Sequence, residues 1–357
     1  MAEKRPTISN SVLVMNKGGR IISIRPQFAL PGGEVTIECE DFAVDHGRDH
    51  ACYIGGGECR LRAASSDRLL AVLPERIAFD PTLVQLVSGG ESSEPVELTV
   101  GRKLVDDMHI VSNPAVDPDD GSIVLTRSGS RGQQLGATLF RYEPDGFLDQ
   151  LPIEVTTPTG LAFGPDGELY VTNRTDGQLY RVEHDDELVT VASGLGVATG
   201  IALNSEGQIF VGDRSGTIHR IDDLGRPETF AILEPSVAAY HMAFGPDGRL
   251  YVTAPALASH DAVYVIDEEG YVDKFLRGFG RPQGLAFDTE GNLYLAACYK
   301  GKHGIVRIDR EGEEVETVVA GTGIVGLCFT RDGAMIVATN STVYSIPAGI
   351  YGTLLQP

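Results

Sequence analysis

Residues 158–174 read PTGLAFGPDGELYVTNR, and the chain repeats that phrase with small changes. ATGIALNSEGQIFVGDR begins at Ala198, YHMAFGPDGRLYVTAP at Tyr240, PQGLAFDTEGNLYLAACY at Pro282 and IVGLCFTRDGAMIVATN at Ile324. The matched positions Gly160, Gly200, Met242, Gly284 and Gly326 lie at intervals of 40, 42, 42 and 42 residues. A looser copy, SNPAVDPDDGSIVLTRS, starts at Ser112 and makes six. Within each copy a short apolar run such as Leu161-Ala162-Phe163 meets an Asp-Gly or Glu-Gly turn, then a second run, Leu169-Tyr170-Val171. A polar loop, a third run (Gln178–Val182), another acidic turn and a fourth run (Leu188–Val191) complete it. Apolar and β-branched runs bounded by Gly and Asp are strands and hairpins. Four strands in about 42 residues is the period of one propeller blade, and the 3.6-residue periodicity of a helical solenoid is missing. The expectation is an all-β chain whose residues 104–357 form a six-bladed β-propeller. The last copy is short after Thr342–Ile346, so its outer strand must come from elsewhere, Met108–Val111 or the C-terminal tail being the two candidates.

Outward from the repeat, residues 20–103 lack it. Their runs Ile21–Ile24, Val35–Ile37, Ala51–Ile54, Leu69–Leu73 and Val96–Val100 predict at least five strands, enough for a small β-sandwich. Residues 1–19 are read as an extension. The apolar run there, Val12–Met15, is far shorter than the ~7–15 residues of a secretory leader. No stretch reaches the roughly 18 apolar residues of a membrane span. The expectation is a soluble, cytoplasmic chain, or a periplasmic or secreted one if a leader has been removed.

Composition excludes some functions. Of 357 residues, 43 are glycine, as a turn-rich chain requires. The net charge of −21 repels nucleic acid and anionic lipid, so neither is an expected partner. Five cysteines (39, 52, 59, 298 and 328) give no disulfide framework and no zinc spacing. Cys52 and Cys59 flank Gly55-Gly56-Gly57 and read as small core side chains, with a cross-hairpin pair as the alternative. Asp117-Pro118-Asp119-Asp120-Gly121 looks like a calcium loop, but its spacing departs from the EF-hand pattern and no Glu closes it. His260 and Asp261 are adjacent on a strand and would point apart.

The segments GLAFDTEGNLYLAACYKG (from Gly284) and GLAFGPDGELYVTN (from Gly160) resemble NHL-repeat propellers and the six-bladed family of gluconolactonase, senescence-marker protein and luciferin-regenerating enzyme. The likeness covers residues 113 to about 347. The stretch RIISIRPQFALPGGEVTIECEDF, the turn YIGGGECRL and PVELTVG resemble an IPT/TIG immunoglobulin-like domain, which implies a spacer or interaction module. The propeller resemblance implies that the starts of the inner strands and the loops between second and third strands share one face around the channel mouth. It also implies a divalent cation, calcium or zinc, held there by Glu, Asn, Asn and Asp. The corresponding positions are Ser112, Thr199, His241 and Gln283, with Asn113 an alternative to Ser112. None is a carboxylate, which hard cations require for charge balance. No metal ligand is therefore assigned.

Two features remain. His241, whose side chain titrates near neutrality, is the candidate general base; the alternative is a hydrogen-bonded histidine beside Tyr240 at a strand start. After the second strand, three consecutive blades carry Arg127, Arg174 and Arg214 at what reads as one level, with Arg131, Lys300, Lys302 and His303 in neighbouring loops. Arginine forks match carboxylate or phosphate. Blade-to-blade salt bridges, using Asp213 and Asp176, are the competing use. The expected function is binding of a small anionic or sugar-acid-like ligand, or an acidic partner segment, at a face built from Arg127, Arg174, Arg214, Thr159, Thr199, Gln283 and Lys300. A gluconolactonase-type lactone hydrolase acting through His241, Thr159, Thr199 and Gln283 without a metal is the alternative, and a protein-interaction scaffold the third.

Overall fold

The computed structural model describes residues 18–44, 50–77, 81–129, 135–184, 187–256 and 261–353. Every regular element in them is a strand. None of the described residues forms a helix long and apolar enough to cross a membrane. Arg131 and His260, named above, lie outside the described residues, as does the segment read as the N-terminal extension up to residue 17.

The described residues divide into two compact units: residues 18–24 with Thr36–Glu97, and Arg25–Val35 with residues 98–353. The first is a pair of antiparallel sheets. One orders Arg20–Arg25, Glu34–Glu40, Arg68–Val72 and Arg60–Ala64; the other orders Val96–Glu97, Leu83–Ser88, His50–Ile54 and Gly57–Glu58, with Glu91–Ser92 beside Leu83–Ser88. Along Glu34–Glu40 burial alternates residue by residue, as in a sheet with one face covered. The buried set includes Ile37, Cys39, Cys52, Ile54, Leu69, Ala71, Val84 and Leu86. All five cysteines are free thiols. Cys52 and Cys59 are both buried, and the Cys59 side chain bonds to Cys52 and, with burial, pushes the Cys52 thiol far above its ordinary range.

The second unit is the propeller. Blades 2 and 3 follow the repeat strand for strand: Pro158–Phe163, Leu169–Asn173, Gln178–Glu183, Glu187–Ala192, then Ala198–Leu203, Ile209–Asp213, Thr217–Ile221, Pro227–Ile232. Blade 1 uses Ala115–Val116, Ile123–Thr126, Leu139–Tyr142 and Leu148–Gln150; blade 4 uses His241–Phe244, Leu250–Thr253, Asp261–Ile266 and Val272–Gly280; blade 5 uses Leu285–Phe287, Leu293–Tyr299, Lys302–Ile308 and Val315–Ala320. Strands within a blade are lettered A to D from the channel outward. The six A strands touch in a closed ring, blade 6 meeting blade 1. Each of the six blade–blade interfaces has its own apolar core. Strand B is buried on both faces: Val171 packs toward blade 1 and Tyr170 toward blade 3. That is why strand B reads as a continuous apolar run rather than an alternation.

Three sequence expectations are corrected. The missing outer strand of blade 6 (Ile324–Phe329, Met335–Thr339, Val343–Ile346) is Arg102–Val105, antiparallel to Val343–Ile346. It is neither Met108–Val111 nor the tail, which instead bridges Gly352 to Asp288 in blade 5. Val96–Val100 is not one strand: Val96–Glu97 pairs in the sandwich, and Thr99–Val100 pairs with Phe28–Ala29 in the propeller unit. Phe28–Ala29 also runs parallel to Val319–Ala320, the outer edge of blade 5. A single cut near residue 103 therefore does not divide the chain, because Arg25–Val35 and Leu98–Val105 both pack with the propeller.

Glycine in strand A is required by contact distance. A Cβ on Gly160 would lie 2.5 Å from Thr199 O of the next blade, and one on Gly326 2.6 Å from both Asn113 Cα and Ser112 O. Blade 1 has Asn113 in the glycine place. Its amide reaches inward, donating to Leu285 O of blade 5 (3.0 Å) and accepting from Leu327 N–H of blade 6 (3.2 Å). Its Oδ1 lies 2.0 Å from where a Gly284 Cβ would be. Gly326→Ala should cost about 1–3 kcal/mol from overpacking. Asn113→Ala, which strands two backbone groups of buried residues, should cost about 1–3 kcal/mol per group. Denaturant unfolding of both variants checks this; a Gly326→Ala protein as stable as the parent would show that the ring has slack.

Candidate ligand-binding face

The start of each A strand, the end of each B strand and the B–C loop meet at one end of the propeller. Pro158 pairs with Asn173, Ala198 with Asp213, His241 with Thr253 and Ile324 with Thr339. Asn173 and Asp213 staple this end together. Asn173 Oδ1 accepts from Thr157 N–H and Oγ1, and Asp213 Oδ1 accepts from Val197 N–H (2.8 Å).

Most of the ring residues expected to face a ligand are bonded to backbone. Thr199 Oγ1 donates to Gly212 O (3.0 Å) and accepts from Tyr240 N–H (3.1 Å), joining blades 3 and 4. Gln283 Nε2 donates to Ile324 O (3.3 Å) across blades 5 and 6. Thr159 is buried and bonds to Thr157 O. His241 is different. It is buried, its Nε2 has no partner, and burial pushes its pKa down to about 4. The imidazole is thus neutral at pH 7, and the hydrogen-bonded histidine considered from sequence is not what forms.

The arginines are placed as follows. Arg174 and Arg214 occupy equivalent half-buried positions in blades 2 and 3, each donating its backbone N–H to the residue before the A strand, Thr157 and Val197. Arg127 stands one register position earlier, because Thr126 opposes Leu139 as Thr172 opposes Leu179. The three are therefore not on one level. The interblade salt bridges weighed from sequence do not form. Asp176 accepts from Asn173, Gln178 and Tyr180, and Asp213 from Val197 and Ser215. Among the described residues the Arg127 and Arg174 side chains have no hydrogen-bond or ion-pair partner. Arg214 Nη2 donates to Val237 O at 3.3 Å, while its buried Nε has no acceptor. Lys300, exposed at φ 49°, lies over the Tyr299 ring at 4.8 Å.

Sequence reasoning passed over other groups here. Asp261, at the start of strand C of blade 4, is buried with Oδ2 unbonded, and burial raises its pKa. Thr126 Oγ1 and Ser128 Oγ of blade 1 are likewise buried and unpartnered. Five of the seven orphaned polar atoms, on Thr126, Ser128, Arg214, His241 and Asp261, thus lie at this one end. Their only sequence signal is position at the end of strand B or the start of A or C. Away from this end, Asp117 binds Arg141 Nη1 at 2.7 Å in a buried pair, which accounts for the acidic loop that looked like a calcium site; the other two orphaned atoms are the Nε groups of Arg141 and Arg181. Among the described residues no group of three or more His, Cys, Asp or Glu is set to hold a metal ion. With neutral ring groups bonded to backbone, the donor set does not fit the divalent cation implied by the resemblance.

Residues 170–342 match the family described as SMP-30/Gluconolactonase/LRE-like region. No curated protein matches the chain in sequence. A gluconolactonase from Xanthomonas campestris superposes with a TM-score of 0.57 at 16% identity, over 69% of this chain and 88% of its own. An auxiliary nutrient binding protein from Bacteroides ovatus gives 0.54 at 13% identity, over 93% of this chain and 97% of its own. Virginiamycin B lyase from Staphylococcus aureus gives 0.51 at 17% identity, over 69% and 97%. At such identities the likeness establishes the β-propeller fold.

The lowered pKa of His241 has a consequence for stability. Between pH about 6.5, its ordinary value, and about 4, the unfolded chain binds a proton that the folded chain refuses. This contribution is present above pH 6.5 and is lost on acidification, by about 1.4 kcal/mol per pH unit. Unfolding free energies at pH 7, 6 and 5 should fall more steeply for the parent than for His241→Leu. Parallel slopes would mean that His241 protonates in the fold.

Proposed function

We propose that this end of the propeller binds a small anionic or sugar-acid-like ligand through Arg174 and Arg214, with Arg127 at the margin. The observation that carries the reading is Arg214 Nε, buried and without an acceptor, beside the half-buried Arg174, whose guanidinium has no partner among the described residues. A buried donor without a partner costs about 1–3 kcal/mol, a penalty that a bound carboxylate or phosphate removes. In a chain of net charge −21, cations gathered at one end also give an anion a local attraction that the rest of the surface denies it.

The family match over 170–342 favours a second reading, a lactone hydrolase. His241 supports it only as a neutral, buried imidazole, and the other ring groups supply no acid or metal. Superposable folds include proteins described as a gluconolactonase and as a nutrient binding protein, so architecture alone does not choose. The sandwich, read as an IPT/TIG-like module, would add a surface for a protein partner.

A thermal-shift screen of the full chain with sugar acids, dicarboxylates, phosphate and lactones tests the proposal. Binding at a hundred times Kd adds about 2.7 kcal/mol of stability. Arg174→Ala and Arg214→Ala should each weaken a stabilising anion about tenfold to a hundredfold, the loss of one charge-assisted bond, without lowering the ligand-free Tm by more than a few degrees. Lactone turnover surviving in both variants would instead place function with the hydrolase reading.

A further inference from the structure

Arg214 sits in a setting that Arg174 does not share. The guanidinium lies against Val237 O, its backbone N–H binds Val197 O (3.2 Å), and its own carbonyl accepts from Ser236 N–H (3.1 Å). Val197 and Val237, in the turns into blades 3 and 4, are exposed apolar side chains, 39% and 46% accessible. Pro235 is exposed beside them. The equivalent turns into blades 2 and 6 offer Thr157 and Gly323. Arg214 is thus bonded to the carbonyls of two residues whose β-branched side chains are open to solvent, with one buried N–H unsatisfied.

Nearby carboxylates do not occupy it. Asp213 is buried and bonded to Val197 and Ser215. Glu234 is exposed and forms no ion pair with Arg214 among the described residues.

We infer that the ligand of this face is a carboxylate with an aliphatic body, its anion on Arg214 and its hydrocarbon against Val197 and Val237 between blades 3 and 4. The inference rests on the arginine face being an anion site. It adds the chemical class: a purely polar anion would leave the valines wet, whereas an alkyl or ring carbon beside the carboxylate covers them.

Isothermal titration of the full chain with acetate, butanoate and hexanoate, alongside inorganic phosphate, reads this directly. Affinity should rise about twofold to fourfold per added methylene. In a Val197→Ser/Val237→Ser double variant that gain should flatten while acetate binds as before; because both side chains are exposed, the variant's Tm should match the parent's. Equal affinity for acetate and hexanoate overturns the aliphatic body and leaves the anion site standing. A chain-length gain that persists in the double variant overturns the placement. Failure of every carboxylate and of phosphate to bind overturns the anion site itself.

Discussion

The closeness of the six innermost strands governs the rest of the molecule. A methyl group does not fit at Gly160, Gly200, Gly284 or Gly326, where a Cβ would come within 2.5–2.7 Å of the next blade. At that spacing side-chain hydroxyls and amides reach across. Thr172 Oγ1 accepts from Gly160 N–H and donates to Thr199 O, Thr253 Oγ1 donates to Gln283 O, and Gly284 N–H binds Val325 O. Each blade is tied to the next by polar bonds near the channel and by an apolar core farther out. The neutral ring that looks like a weakened metal cage is largely this tie.

The same constraint explains why function and structure part along the repeat. Positions that hold the ring are spent. Those just past the end of strand B, where the chain leaves the sheet, keep uncommitted donors. Arg174 and Arg214 follow an Asn and an Asp that close the loop with their own carbonyl and carboxylate oxygens, which frees the guanidinium from local duty. Buried, unbonded atoms on Asp261, Ser128 and Thr126 at the same end add to that surface's unmet hydrogen-bonding demand.

Blade number, strand order and the all-β class were legible because a 42-residue period is a property of sequence alone. The fourth strand of blade 6 was not. Arg102-Lys103-Leu104-Val105 has only one buried position, Val105, so its alternation is too slight to separate it from a linker. Phe28–Ala29 is two residues long and pairs with strands some seventy and two hundred and ninety residues away in the chain, which no local pattern records. At the site, the presence of Arg127, Arg174, Arg214 and His241 could be read. Whether Asp176 and Asp213 would neutralise them could not, since adjacency in sequence does not fix which way a side chain turns. The one-residue offset of Arg127 likewise depends on cross-strand register.

Order of manufacture follows from the strand that completes blade 6. Arg102–Val105 leaves the ribosome before any other blade strand, and its partner Val343–Ile346 after all the others. Phe28–Ala29 waits still longer for Val319–Ala320. Through most of translation Arg102–Val105, and the edge of Phe28–Ala29 not paired with Thr99–Val100, are open and able to find a wrong neighbour, another nascent chain included. Closure of the ring therefore waits on Val343–Ile346, and a truncation after Tyr344 would remove Ser345 and Ile346 and leave Arg102 without its partner in that seam.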